Sequence, residues 1–364
     1  MKRTGTLFLP LHRGKTPRWL FERMKRLSLQ IISVIIEEFG TAVLLEKLSS
    51  PLWFQAFGCV LGFDWHSSGL TTTVCGALKE ALKKQAEDLG IFVCGGKGGT
   101  SRKTPQELIE WQEKLCIDTQ DLIYASRMSA KIDNNCLQDG FNLYHHVFMF
   151  DKHKNWIVIQ QGMSEEGWAR RYHWSSQKLK SFTIEPHSGI ISKANLFTLN
   201  LVDKDMHSTQ ELIVQLSQRP PSQNIKDINC LLTSFNKLPS RHRILLKDIN
   251  VNKLKSIYLK TYESKPQDFE KLIAQEGVGP KTLRALALIS ELIYGAPLSF
   301  RDPARFSFAH GGKDGVPYKV NKKQYDTSID ILEKAVKKAR LGYTDRLKAL
   351  RTLYKFYNKE EVKE

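Results

Sequence analysis

The chain has 364 residues, of which 41% are hydrophobic, 10% aromatic and 26% charged. This composition excludes intrinsic disorder, collagen and coiled-coil arrays, and the length suits two cored domains. Fifty-five Lys and Arg against 38 Asp and Glu give a formal charge of +17, which favours a polyanionic partner through its field and through counterion release, without separating DNA from RNA or an anionic membrane.

In chain order, Leu27 to Ile36 is the first long apolar run. It carries Ser28, Gln30 and Ser33 and ends in Glu37 and Glu38, so it is too short and too polar to span a bilayer and reads as a buried helix. No charged n-region with an apolar h-region and a cleavage site opens the sequence, so a cytoplasmic location with no membrane contact is expected. Gly76 to Leu89 is the next helical stretch. Ile91 to Cys94 reads as a short strand running into the glycine-rich Gly95–Thr100, and a helix follows from Thr104-Pro105 to Leu115, Pro being favoured at a first helical position. Leu143–Phe150 and Trp156–Gln160, parted by a polar Asp151–Asn155, read as a β-hairpin. Phe182–Ile184 and Leu196–Val202 are further strand candidates, and residues 1–207 are therefore expected to form an α+β domain.

From residue 208 the pattern becomes all-α, with a connection at Arg219–Ser222. Helices are predicted over Thr209–Gln218, Asn224–Phe235, Val251–Tyr262, Gln267–Gln275, Pro280–Tyr294, Tyr325–Leu341 and Asp345–Tyr357. The predicted division is a helical domain over 208–300 and a loop with a basic helical tail over 301–364. Between Lys237 and Lys260 there are seven Lys and Arg against one acid, a pattern that usually marks a solvated helix face. The six cysteines contain no C-x-x-C pair, which argues against a zinc ribbon or dithiol motif and for buried free thiols.

The sharpest motif lies within 266–294, where two helical patterns are joined by Gly277-Val278-Gly279-Pro280-Lys281. Glycines without Cβ let a backbone approach phosphate closely, and the free N–H groups and positive end of the second helix point at it. Lys281, Thr282 and Arg284 follow as further contacts. The motif resembles the helix-hairpin-helix of DNA repair and replication proteins, which implies sequence-independent binding of the DNA backbone; an ordinary helix–helix corner closed by glycines is the alternative. Lys281 also occupies the position of the Schiff-base lysine in glycosylases of the endonuclease III type, and Gly295-Ala296-Pro297 leads to Asp302 at that family's Gly-to-Asp interval. The resemblance implies a lyase using Lys281 and Asp302, although the helix between hairpin and turn is longer by nearly one turn. The preferred reading keeps Lys281 as a phosphate contact and Asp302 as a loop cap. The family's cysteine-ligated iron–sulfur cluster has no counterpart, because Cys230 is the last cysteine.

In the first half the loop 95–100 satisfies neither G-x-x-x-x-G-K-[ST] nor G-x-G-x-x-G, so no nucleotide site is expected. With Lys97, Arg102 and Lys103 it could cradle a backbone phosphate, and a plain flexible loop is the alternative. Phosphodiester hydrolysis usually gathers carboxylates and imidazoles on a divalent metal. Asp64, His66, Asp139, His145, His146 and His173 are the catalytic candidates, with Asp139 and His146 as ligands for Mg or Mn, and Asp133, Glu165 and His187 lie nearby in sequence. His145 and His146 should point to opposite strand faces, and Gln160-Gln161 stand where a strand carboxylate would be looked for. Arg170 and Arg171, interleaved with Trp168, Tyr172 and Trp174, could stack bases and pair phosphates; a core helix with a wet edge is the alternative.

FDWHSSGLTTTVCGALKE (63–80), GGKGGTSRKTP (95–105), ASRMSAKID (125–133), LQDGFNLYHH (137–146), ARRYHW (169–174) and DPARFSFAHGGKDGVPY (302–318) resemble, over nearly the whole chain, the uncharacterised domain-of-unknown-function family 763. The resulting expectation is a protein that binds DNA through its second half and cuts phosphodiesters with its first half, as a metal-dependent deoxyribonuclease. The alternatives are a DNA glycosylase/lyase and a non-catalytic DNA-binding scaffold.

Overall fold

The computed structural model describes residues 16–63, 68–192, 198–304 and 322–339, with positions 345, 347 and 349–351. The first apolar run belongs to α1 (Arg18–Phe39), which Gly40 ends at φ +83°. Two unpredicted helices follow, α2 (Thr41–Ser49) and α3 (Pro51–Val60). All ten residues of α3 are buried, and a helix covered on every side shows no amphipathic period. The stretch expected as one helix over 76–89 is α4 (Gly69–Leu82) and a single turn α5 (Ala86–Leu89), divided by Lys83–Gln85.

Next come β1 (Ile91–Lys97), a 3-10 segment Gly98–Lys103, α6 (Thr104–Leu115) and the unpredicted α7 (Gln120–Lys131), which runs into a π-helical turn, Ile132–Cys136. The strands continue as β2 (Leu137–Gln138), β3 (Asn142–Asp151), β4 (Trp156–Met163), β5 (Ala169–Ser175), β6 (Gly189–Ile191) and β7 (Leu199–Asn200). Five of them form an antiparallel sheet in the order β1-β3-β4-β5-β6, while β2 pairs with β7. The predicted hairpin is β3–β4. Phe182–Ile184 joins no strand; Phe182 instead stacks on Trp156, with ring centroids 6.2 Å apart.

Strand alternation divides the sheet into two apolar faces. Val147, Met149, Ile157 and Ile159 pack under α1–α4. Phe148, Phe150, Val158 and Trp174 face the other way, and their core continues through α6 and α7 into the helices of the second half. Those helices are α8 (His207–Ser217), α9 (Pro221–Thr233), α10 (Ser240–Leu246, unpredicted), α11 (Val251–Ser264), α12 (Phe269–Ala274) and α13 (Pro280–Leu292). Of these, α8, α9 and α10 pack on α13, whose Leu283 and Ala285–Ile289 are fully enclosed, while α11 and α12 pack on α8. The chain is thus mixed α and β, with an antiparallel sheet in its first half and helices after it.

The basic C-terminal stretch contributes α14 (Lys322–Lys338), which packs on α1. Leu332, Ala335 and Val336 complete the core beneath the sheet face covered by α1–α4. Most of the helix predicted over 345–357 lies outside the described residues. Among the cysteines Cys59, Cys75, Cys94 and Cys136 are buried, but Cys116 and Cys230 are exposed. Among the described residues no helix is long and apolar enough to cross a membrane.

Candidate functional site

The β1–α6 connection is shaped by one close approach. At Gly95, with φ +86°, an added Cβ would lie 2.3 Å from the carbonyl oxygen of His146 on β3, so only glycine lets the strands meet there. The Gly95 N–H donates to Glu107 (2.7 Å), and Lys79 donates both to the Gly95 carbonyl (2.7 Å) and to Glu107. This anchors the root of the loop that carries Lys97, Arg102 and Lys103, all exposed.

Beside that loop lies a cavity of about 320 Å³, bounded by Arg102, Arg127, Asn134, Ser126, His145 and His146 among others. Neither arginine pairs with a described carboxylate. At its inner wall a hydrogen-bonded row starts from Asp133 in the π-helical turn. The carboxylate accepts from Trp174 Nε1 (3.0 Å), from His187 Nε2 (2.5 Å) and from Gln160 Nε2 (2.5 Å). The same amide nitrogen donates to the Ser129 carbonyl (3.2 Å), and Gln160 Oε1 meets His146 Nδ1 at 2.8 Å. Ser126 Oγ lies 2.9 Å from His146 Nε2.

Burial holds His146 below the ordinary imidazole range, against the raising effects of Gln160 and Asp133. Burial, with His146 and Lys97 nearby, pushes His145 down to about 3, and neither of its ring nitrogens has a partner among the described residues. His145 and His146 alternate along β3 as expected, yet both border the cavity, next to a register shift between Leu143 and His145.

The connection between α12 and α13 is the second distinctive place. Gly277 takes φ +87° and Gly279 caps α13, with Pro280 at its first position. No bond to a described group is made by the N–H of Glu276, Gly277, Val278, Gly279 or Lys281, whereas those of Thr282 and Leu283 return to the Gly279 carbonyl. The carbonyl side of the turn is occupied. Lys131 at the end of α7 donates to the carbonyls of Ile273, Ala274 and Gln275, each at 2.8 Å, and Gln138 donates to that of Pro280 (2.9 Å). Lys281 is half exposed and lies 3.4 Å from Asp248, which also meets Arg284. Lys247, next to Asp248, and Lys253, Lys255 and Lys260 of α11 are exposed as well, and α11 reaches the turn at Ile257, whose Cγ1 would lie 3.8 Å from a Cβ on Gly277.

The other expected site residues are placed elsewhere. Arg170 is wholly buried between Asp139 (2.7 Å) and Asp302 (2.5 Å), with Tyr172 donating to Asp139. Although burial disfavours its charge, the two carboxylates hold Arg170 above the usual arginine range. It is a core ion cluster and offers nothing to a nucleic acid. Asp139 is therefore spent on Arg170 and does not converge with His146, and among the described residues no group of three or more His, Cys, Asp or Glu could hold a metal.

Asp302 and Lys281 likewise have different partners, Arg170 and Asp248, so the lyase pair is not assembled. Arg171 is also fully buried, lying over Phe54 at 4.9 Å and donating to Gln55 and Thr71. Burial lowers it to about 9. The side chain of His173 is enclosed against Phe54, and that of Thr282 is buried. Asp64 and His66 lie outside the described residues.

In the sequence Ser126 and Arg127 belong to no catalytic motif, and Gln160 reads only as the place of a missing carboxylate. Ser126 and Asp133 stand seven residues apart in ASRMSAKID, two helical turns along one face. That spacing was the available signal.

No curated protein and no solved structure matches the chain. The sequence profile described as a protein of unknown function (DUF763) matches residues 5–320. This span takes in the sheet, the cavity and the α12–α13 turn together, and the chain belongs to the DUF763 family.

Proposed function

We propose that this protein binds the sugar–phosphate backbone of DNA through α12 and α13, used as a helix-hairpin-helix, and that the cavity beside α7 acts on a phosphodiester of the bound strand. The observation that carries the reading is that the backbone N–H groups of Glu276, Gly277, Val278, Gly279 and Lys281 make no bond to a described group. They lie at the start of a 13-residue helix and beside exposed lysines. Unbonded amides, the helix dipole and exposed cations together favour a phosphate oxygen, and they read no base. The carbonyls that would repel an anion are turned inward onto Lys131 and Gln138.

The cavity supports the second part of the reading. Among the described residues two arginines without a carboxylate partner border it, and no acid does. One of them, Arg127, stands four residues before Lys131 and so on the same face of α7. Grip and cavity are thus built on one helix. The geometry does not favour Asp139 with His146 as a metal site, because each is committed to other partners.

Fluorescence anisotropy with a labelled 30-mer, single-stranded and duplex, tests the grip. Binding should weaken steeply with salt, and Lys281→Glu and Lys253→Glu should each lower the slope of log K against log[salt] by about one. Binding that ignores salt, or that both variants leave untouched, would remove the reading.

A further inference from the structure

We propose that Ser126 is a nucleophile and His146 its proton acceptor, and that together they open a phosphodiester by a covalent phosphoseryl intermediate. The inference deepens the phosphodiester reading above and rests on it for the natural substrate, but not for the chemistry of the pair.

The hydrogen-bond row fixes its own polarity. Asp133 as a carboxylate only accepts, so the Gln160 group facing it must be the amide nitrogen, whose hydrogens go to Asp133 and to the Ser129 carbonyl. Gln160 Oε1 is left to accept from His146, which places the imidazole proton on Nδ1. The lone pair of Nε2 then faces Ser126 Oγ at 2.9 Å, and the hydroxyl donates to it. This is the arrangement in which an imidazole can remove a hydroxyl proton, with a third group fixing its tautomer.

A second observation separates Ser126 from the other buried helical serines. Ser49, Ser129, Ser217 and Ser290 return their hydroxyls to the carbonyl three or four residues back, the usual local bond. Ser126 gives its hydroxyl to His146 instead. The pair opens on the cavity of about 320 Å³ whose cations are Arg102 and Arg127, within the size range of small-ligand sites. Cations without an acid select an anionic group and would offset charge gathering on the non-bridging oxygens.

In the first step Ser126 Oγ bonds to phosphorus as its proton passes to His146 Nε2. The bond from phosphorus to the leaving oxygen breaks, and that oxygen takes the proton from Nε2. In the second step water attacks phosphorus and gives its proton to Nε2, the phosphorus–Oγ bond breaks, and Ser126 regains a proton from His146. One water is consumed and no redox partner is needed. Gln160 and Asp133 are positioning residues.

The test uses the full chain in EDTA with bis(4-nitrophenyl) phosphate as the small diester and a fluorophosphonate as the covalent probe. Nitrophenolate release should fall at least 100-fold in Ser126→Ala and in His146→Gln, and mass spectrometry should place the fluorophosphonate on Ser126. Gln160→Leu should move the acid limb of the pH–rate profile, which a merely structural change would not. Because Ser126→Ala removes one oxygen from a buried position, its near-ultraviolet circular dichroism should match the parent. Release that persists in a folded Ser126→Ala, or a folded parent that neither turns over the diester nor labels at Ser126, overturns the assignment even if DNA binds. Labelling and turnover in a protein that binds no DNA uphold Ser126 and remove the DNA reading alone.

Discussion

Acidification should unfold this protein through its buried imidazoles. His145, His146 and His173 are enclosed, and burial lowers all three below the ordinary value of 6.5, His145 to about 3. In the unfolded chain each titrates near 6.5, so below that pH the unfolded state binds more protons and stability falls with falling pH; above it the neutral forms cost nothing. Between pH 7.5 and 5.5 the unfolded state gains about 1.4 kcal/mol per imidazole that stays neutral when folded, hence about 3 kcal/mol from His145 and His173, with His146 adding in the same direction, against the 5–15 kcal/mol typical of a domain. Asp139, raised mainly by burial, works in the opposite direction, so the informative quantity is a difference between variants. Urea unfolding at half-unit steps of pH should give a slope for His145→Gln that is shallower than the parent's by about 1.4 kcal/mol per pH unit well below pH 6.5. Equal slopes would refute the reasoning, since His145 would then be taking up its proton inside the folded protein.

Removing one member of the buried ion cluster should be costly. Asp139→Ala leaves Arg170 and Tyr172 without a shared acceptor and should lose about 3–5 kcal/mol in urea unfolding, and a loss under 1 kcal/mol would contradict the geometry. Gly95→Ala combines an unfavourable φ with a Cβ placed against the His146 carbonyl, so a loss of about 3 kcal/mol or more is expected, read by thermal melting of the soluble fraction. Lys131→Met strips three carbonyls of their common donor and should cost about 2 kcal/mol, with faster amide exchange confined to residues 272–280. Unchanged exchange there would mean that the clamp on the turn is not needed.

What the sequence revealed followed periodicity. The β3–β4 hairpin was legible because apolar and polar residues alternate up to its polar Asp151–Asn155 loop, and α6, α8, α11 and α13 because each has one apolar stripe and an identifiable start. The site was less legible for the reason that makes it a site. The buried face of α7 carries Ser126 and Ser129 among Leu122, Ile123, Ala125 and Met128, and those hydroxyls interrupt the stripe that would have announced the helix. Arg170 and Arg171 misled in the opposite sense: adjacent charges read as surface, yet β5 is buried on both faces, and local pattern cannot supply the acids that Arg170 finds at positions 139 and 302. Arg102 and His146 are legible individually and Gly95 only as part of a glycine-rich loop, and it is the β1–β3 register that brings them together.

The seating of α14 against α1 has a consequence for how the chain is made. Leu332 and Val336 belong to the same core as Met24, Ile31 and Ile35, so one wall of the layer built on α1 is supplied by a helix made some 300 residues later. At roughly 5–20 residues per second, some 300 residues and about 15–60 s separate the two helices during synthesis. Throughout that interval one flank of α1 has no permanent neighbour. A nascent chain of this protein therefore presents a greasy seam along α1 until α14 has been made, and premature termination before residue 330 should yield products that need a chaperone or aggregate.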